Sequence, residues 1–282
     1  MTPPGSARSL RSRRGREKAR LRRGALTIVG SGIAGPAHTT PQAIGALRGA
    51  QEVFLLVADP LTREWLREIV PRAENLADAY AIGRPRGDSY EEMIERMLAP
   101  VRRGRRVCAL FYGHPGVFAY PPHEALRRAR AEGHEARMLP GVSAEDCLFA
   151  DLGVDPGRSG CQSYEATDFL LRRRRFDPAT PLVLWQVGLV GVEDVRAQAL
   201  WSAEGLRVLT EVLLETYPRD HPVVVYEAST LPIVPPKIAR VALGDLPVAP
   251  VTALSTLYVA PLEARAVDPA MARRLGIDFE AG

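Results

Sequence analysis

Apolar residues along this chain fall in short runs separated by longer stretches of helical spacing, and the alternation continues from one end to the other. Leu26-Thr27-Ile28-Val29 reads as a first strand, followed by the loop Gly30-Ser31-Gly32-Ile33-Ala34-Gly35. Thr40 and Pro41 suit the N-cap and first position of a helix through QAIGALRGA. Val53–Ala58 gives a second strand, and Asp59-Pro60-Leu61-Thr62 opens another helix. Ser89-Tyr90-Glu91-Glu92 has the spacing of a capping box, which predicts a helix from about Tyr90 to Arg103, closed by Gly104. Arg106–Phe111 is a buried strand that runs into Tyr112 and the stiff, side-chain-poor turn Gly113-His114-Pro115-Gly116. Glu124–Glu132 is helical and stops at Gly133, and Ala136–Leu139 is a short strand. In LPGVSAEDCLFADLG, Ser143 and Asp146 stand as an N-cap and its partner at the third helical position. Leu182–Val187 and Val223–Tyr226 read as strands with a helix over Leu206–Glu215 between them, and a late strand lies within 251–261.

Strands that alternate with helices throughout predict an α/β fold. The GVSAE region reads as a hinge, which gives an N-terminal α/β domain at 25–141 and a C-terminal one at 142–277, with tails at 1–24 and 278–282. Ligands of open α/β sheets gather at the C-terminal ends of strands, and a cleft between two units is the default small-molecule site. The loop at 30–35 matches the G-x-G-x-x-G dinucleotide fingerprint in form only. Pro36 follows at once and the helix waits for Thr40, so no helix N-terminus opens where a pyrophosphate would lie. Glu52, at about the ribose-binding distance, does not end a strand, and the nicotinamide reading is rejected.

The 282 residues allow one large or two medium domains, and 46% hydrophobic content supplies a core for either. No apolar run approaches the roughly 18–20 residues of a membrane span, and the N-terminus has no signal-type apolar region. Cys108, Cys147 and Cys161 lack metal-site spacing and read as core thiols in a reducing cytoplasm, with no metal expected. The net charge of +4 conceals an asymmetry: residues 1–24 carry nine basic side chains against Glu17, a balance of +8 that leaves −4 for the rest. That tail has too few apolar residues to fold, and reads as a solvated appendage or a translation start placed too early. A basic tail can neutralise phosphates, but the mildly acidic remainder argues against an RNA-binding enzyme, so no nucleic-acid partner is expected.

LTIVGSGI, VADP, FYGHPGVF, ARMLPGVSAEDCLFADLG, YEATDFLLR and LVLWQVG together resemble the methyltransferase domain of borosin precursor proteins, the omphalotin type, within the tetrapyrrole methylase superfamily. The resemblance covers roughly Leu26 to Ile277. It implies a class III methyltransferase built from two α/β domains, with S-adenosylmethionine in the cleft between them. It also implies an intimate homodimer that methylates backbone amide nitrogens of a peptide. Fused members continue into a clasp region and a C-terminal core peptide, their own substrate, whereas this chain stops at MARRLGIDFEAG. A split form acting on a separately encoded precursor peptide is therefore expected.

A peptide nitrogen shares its lone pair with the carbonyl, so methylating it requires a base for its proton and a site that stabilises the imidate-like charge. By position, Tyr80, Arg86 and Tyr90 match the group to which the family's amide activation is attributed. An ordinary phenol ionises near pH ~10, and a neighbouring guanidinium favours its phenolate. Tyr90 at the first turn of the predicted helix would also feel the positive end of the dipole. Arg86 is too basic to take the proton itself, so Tyr90 or Tyr80 is the expected base and Arg86 the charge stabiliser. Tyr112 matches a residue near the amide. Gly113, His114, Val117, Phe118, Ser143, Ala144, Gln186, Ser255 and Thr256 match cofactor contacts, although His114 could merely cap its turn and Ser143 its helix. The run Arg172–Arg175 reads as a solvated face, or as a hold for an acidic precursor. Three alternatives stay open: tetrapyrrole C-methylation, which does not need the tyrosine–arginine group; ribosomal RNA methylation, encouraged by the basic tail alone; and a catalytically silent precursor-binding subunit.

Overall fold

A computed structural model describes residues 23–57, 59–81, 83–192, 203–263 and 266–277. Ala58, the expected C-terminal tail and all but the last two residues of the expected basic tail lie outside the described residues. The chain divides into two compact units: one runs to Leu152 and takes in Ala228–Pro236, and the other holds Gly153–Val192, 203–227 and the residues from Lys237 onward.

The first unit is a parallel sheet. Its strands are β1 (Ala25–Gly30), β2 (Glu52–Leu56), β3 (Glu74–Asn75), β4 (Arg106–Phe111) and β5 (Glu135–Met138), in the order β3-β2-β4-β1-β5. Strand β4 is central, and every residue after Arg106 is buried, as expected of a strand covered on both faces. The helices are α1 (Pro41–Gly49), α2 (Pro60–Ile69), α3 (Arg86–Arg102), α4 (Tyr120–Ala131) and α5 (Ala144–Leu152). Thr40 Oγ1 accepts from Ala43 N at 3.1 Å, so the predicted cap of α1 forms, and Asp59 Oδ2 accepts from Thr62 N at 2.7 Å where the next helix is expected to open. One core joins Leu26, Ile28 and Phe54 to Met93 and Met97 of α3 and Leu126 of α4. A second joins Val29, Cys108 and Leu110 to Leu47 of α1 and Leu66 of α2.

The predicted start of the third helix needs correction. Helix α3 begins at Arg86 with Pro85 as its N-cap, so Ser89 and Tyr90 lie inside it. Ser89 Oγ, expected to cap, is buried without a partner among the described residues. The box at Ser143 does form: Asp146 N donates to Ser143 Oγ at 3.2 Å, and Ser143 N and Oγ each donate to Asp146 Oδ2 at 2.7 Å.

The second unit is a mixed sheet of β6 (Gln162–Glu165), β7 (Leu182–Trp185), β8 (Pro222–Glu227), β9 (Lys237–Ala242) and β10 (Thr256–Val259), in the order β6-β7-β10-β8-β9. Only β6 and β7 pair in parallel. The late strand is shorter than the apolar run at 251–261 predicts. Helices α6 (Pro156–Ser159), α7 (Ala166–Leu171), α8 (Ala203–Leu214) and α9 (Pro269–Arg274) complete it. Phe169, Leu184, Leu209, Tyr217, Val225 and Leu257 meet in its core. Among the described residues no helix is long and apolar enough to cross a membrane, and no cluster of side chains could hold a metal ion.

Candidate active site

Four glycines explain the turn after β4. The carbonyl oxygen of Gly113 lies where a Cβ on Gly30 would stand, at 2.1 Å, and a Cβ on Gly141 would come within 2.9 Å of it. Gly32 and Gly113 exchange backbone hydrogen bonds of 3.2 and 3.1 Å. The glycines of the first loop thus close on the turn after β4, at the C-terminal ends of the strands, rather than on a dinucleotide. His114 Nδ1 accepts from Gly116 N at 3.0 Å, so this side chain does cap its turn. Beyond that turn, Val117 and Phe118 are exposed, and Phe118 holds a left-handed φ of 51°. Such strain in a non-glycine residue gathers where a site needs a fixed shape. Tyr112 is 40% exposed, yet lost hydration first, then the nearby Cys147 sulfur and Asp59 carboxylate, push its phenol up to about 12. Burial likewise raises the Cys108 thiol to about 12 and that of Cys147 to about 11, which suits structural thiols.

Because α3 starts at Arg86, Arg86 and Tyr90 stand four residues apart on one helix, the spacing that puts two side chains on one face. The rings of Tyr80 and Tyr90 meet edge to face, with centroids 6.4 Å apart. Tyr120, which the sequence reading missed, extends the group: it is 55% exposed and its ring centre lies 6.1 Å from that of Tyr90. No local motif marks Tyr120; packing of α4 beside α3 brings it there. Arg84 pairs with Glu92 at 2.6 Å, whereas no carboxylate pairs with Arg86 among the described residues. The expected acidification of Tyr80 does not occur. Burial first, then the proximity of Tyr90, push its phenol up to about 12, and Arg86 only partly offsets them.

In the second unit, Gln186 follows β7 with a left-handed φ of 59°. Val187 N donates to the Ser255 carbonyl at 3.2 Å, and Gly188 lets the Thr252 carbonyl approach to 2.1 Å from where a Cβ would be. Ser255 and Thr256 are buried, and Ser255 Oγ donates to Glu227 Oε1 at 2.6 Å. The Ser255 side chain is thus engaged within the unit, which leaves the main chain as its means of meeting a ligand. In the basic run, Arg172 and Arg174 both pair with Asp168, and Arg173 with Glu215, on an exposed face.

The family model of Tetrapyrrole (Corrin/Porphyrin) Methylases matches residues 25–246. The chain belongs to the tetrapyrrole methylase family. A relative named as a methyltransferase and ribosomally synthesized cyclic peptide gymnopeptides precursor, from Gymnopus fusipes, is 44% identical over 252 residues, 88% of this chain and 59% of that protein. The corresponding omphalotin A precursor of Omphalotus olearius is 41% identical over 256 residues, covering 89% and 61%. The chain therefore spans about three fifths of the length of those relatives. The crystal structure of the methyltransferase CobJ has the same fold, with a TM-score of 0.60 at 22% identity over 87% of this chain and 98% of that one. The α/β class, the superfamily and the likeness to borosin methyltransferases expected from the motifs are all borne out.

Proposed function

We propose that this methylase transfers a methyl group from S-adenosylmethionine to backbone amide nitrogens of a peptide. The observation that carries the reading is the tyrosine–arginine group. A guanidinium with no carboxylate partner among the described residues stands at a helix N-terminus, one turn from a phenol that a second phenol touches. A C-methyltransferase acting on a tetrapyrrole does not need that group. The names of the relatives, each a methyltransferase and peptide precursor in one, support a peptide substrate.

The residues present fit the cofactor. The loop after β4 offers a side-chain-free floor at Gly113 and exposed apolar surface at Val117 and Phe118. Ala144 opens α5, and a helix N-terminus receives polar ligand atoms well. The residues proposed to hold it are Tyr112, Gly113, His114, Val117, Phe118, Ser143, Ala144, Gln186, Ser255 and Thr256. When bound, the cofactor supplies a sulfonium-activated methyl group, and the protein orients the two reactants in line.

Tyr90 is the base in this account. Tyr80, whose proton is held by burial, keeps it, and its ring packs edge to face against that of Tyr90. Arg86 lies at the positive end of α3, where a helix dipole disfavours a cation and an anion is welcome. Its guanidinium stabilises the imidate oxygen as the amide proton leaves, a role that arginine fills without changing its own charge. Tyr120 supplies an outer wall against which the peptide lies.

A homodimer and a separately encoded peptide belong to this proposal. In the test, the purified protein is given methyl-labelled S-adenosylmethionine and a short precursor encoded beside its gene, supplied as a separate polypeptide. Label on the backbone nitrogens of that peptide, from a particle of twice the 30.8 kDa chain mass by light scattering, is the expected result. A peptide that binds and stays unlabelled would favour a silent binding subunit, and label on a tetrapyrrole supplied in place of the peptide would favour the C-methylation reading.

A further inference from the structure

The second unit holds a carboxylate that the proposed reaction does not use. Glu227 is the last residue of β8, and its side chain is only 10% exposed. Burying a carboxylate is unfavourable unless its oxygens are satisfied. Here Oε1 accepts from Thr252 Oγ1 and from Ser255 Oγ at 2.6 Å, and Oε2 takes Lys237 Nζ at 2.8 Å. Burial raises the carboxyl pKa, but the Lys237, Ser255 and Thr252 hydrogen bonds outweigh it and hold the group below the ordinary range. Lys237 is 75% exposed, so that ion pair is solvent-screened and contributes little. The two hydroxyls are the partners that fix geometry.

Both hydroxyls belong to one tight turn. Thr252 N donates to Ser255 Oγ at 2.8 Å, Leu254 N to Thr252 Oγ1 at 3.1 Å, and Ser255 N to the Thr252 carbonyl at 3.1 Å. The turn is in turn tied to the segment after β7. The Ser255 carbonyl receives Val187 N, and the Thr252 carbonyl fills the space that a side chain on Gly188 would take. Gln186, held between β7 and those two anchors, has a backbone conformation that a non-glycine residue adopts only under constraint. A line of contacts therefore runs from Glu227 through Thr252 and Ser255 to Gln186.

We infer that Glu227 is a positioning residue for the cofactor: it fixes the turn at 252–255, and through that turn the backbone of Gln186, where the second unit meets S-adenosylmethionine. This rests on the cofactor reading above. A carboxylate that merely stapled two strands would affect melting alone. One that positions the site also sets the affinity of a fold that stays intact.

The experiment is calorimetric titration of S-adenosylhomocysteine into the purified protein and into Glu227→Ala, Glu227→Gln, Thr252→Val and Lys237→Met, each first checked for fold by circular dichroism and melting. Glu227→Ala is expected to weaken binding by about tenfold or more, the scale of losing hydrogen bonds to a charged group. Glu227→Gln should recover most of the affinity, because an amide oxygen still accepts both hydroxyls, and Lys237→Met should bind like the wild type. Folded Glu227→Ala with wild-type affinity overturns the inference. Should that variant fail to fold, Thr252→Val carries the test: several-fold weaker binding supports the assignment and unchanged binding overturns it. A wild type that does not bind S-adenosylhomocysteine overturns the cofactor reading, and this inference with it.

Discussion

Arg86 sits at the end of a helix where its charge is least welcome, while the other arginines of residues 84–102 are neutralised: Arg84 by Glu92, Arg96 by Glu74 and Arg102 by Glu95 and Glu132. In the proposed reaction, that contrast makes it the site for the negative charge that develops on the amide. The phenols nearby divide the labour, since burial leaves Tyr80 a donor at any physiological pH. Tyr80, Tyr112 and Tyr217 are each pushed up to about 12, chiefly by burial, against an ordinary phenol near 10. Below pH about 10 the folded and unfolded chains hold the same phenol protons, and these groups give no pH dependence. From about 10 to about 12 the unfolded chain releases protons that the folded one keeps, so the fold loses stability as pH rises. Melting temperature is expected to fall through that interval, less steeply in Tyr80→Phe, and a flat profile up to pH about 11.5 would contradict the burial of these hydroxyls.

At the scale of elements, two stretches with one spacing behave differently. Ser143-Ala-Glu-Asp146 caps α5, whereas Ser89-Tyr-Glu-Glu92 lies inside α3, because Pro85 sets an extended backbone (φ −56°, ψ 136°) and starts the helix a turn earlier. Ser143→Ala should therefore lower unfolding stability by about 1 kcal/mol in urea melts. Ser89→Ala, which removes an unpartnered buried hydroxyl, should be neutral or slightly stabilising. Equal losses at the two positions would refute the difference. Much of the fold was legible in the chain: the buried run at Arg106–Phe111, the caps at Thr40 and Ser143, the helix opening at Asp59, and the alternation of α and β. Pro85 was the available signal for the start of α3. Strand β3 is two residues long and β6, QSYE, is polar, so neither has a periodicity to read. The ties between Gly30, Gly113 and Gly141, and the approach of Tyr120 to Tyr90, join residues distant in sequence and leave no local pattern.

For the whole molecule, membership of the tetrapyrrole methylase family accounts for the fold, and in the proposed reading the choice of substrate turns on a few side chains placed upon it. The first unit carries the tyrosine–arginine group and the glycine-floored loop, and the second the turn that Glu227 holds. The proposed reaction requires Tyr90 to act as a base for an amide proton. The most direct test compares wild type and Tyr90→Phe, each given S-adenosylmethionine and the same precursor peptide. Tandem mass spectrometry follows the peptide, and calorimetry measures S-adenosylhomocysteine affinity on the same preparations. Methyl groups on backbone nitrogens, accumulating roughly 10²–10⁴-fold more slowly in the variant while affinity is unchanged, is the predicted result. Equal rates in the two proteins, or a loss of rate matched by an equal loss of cofactor affinity, would contradict it.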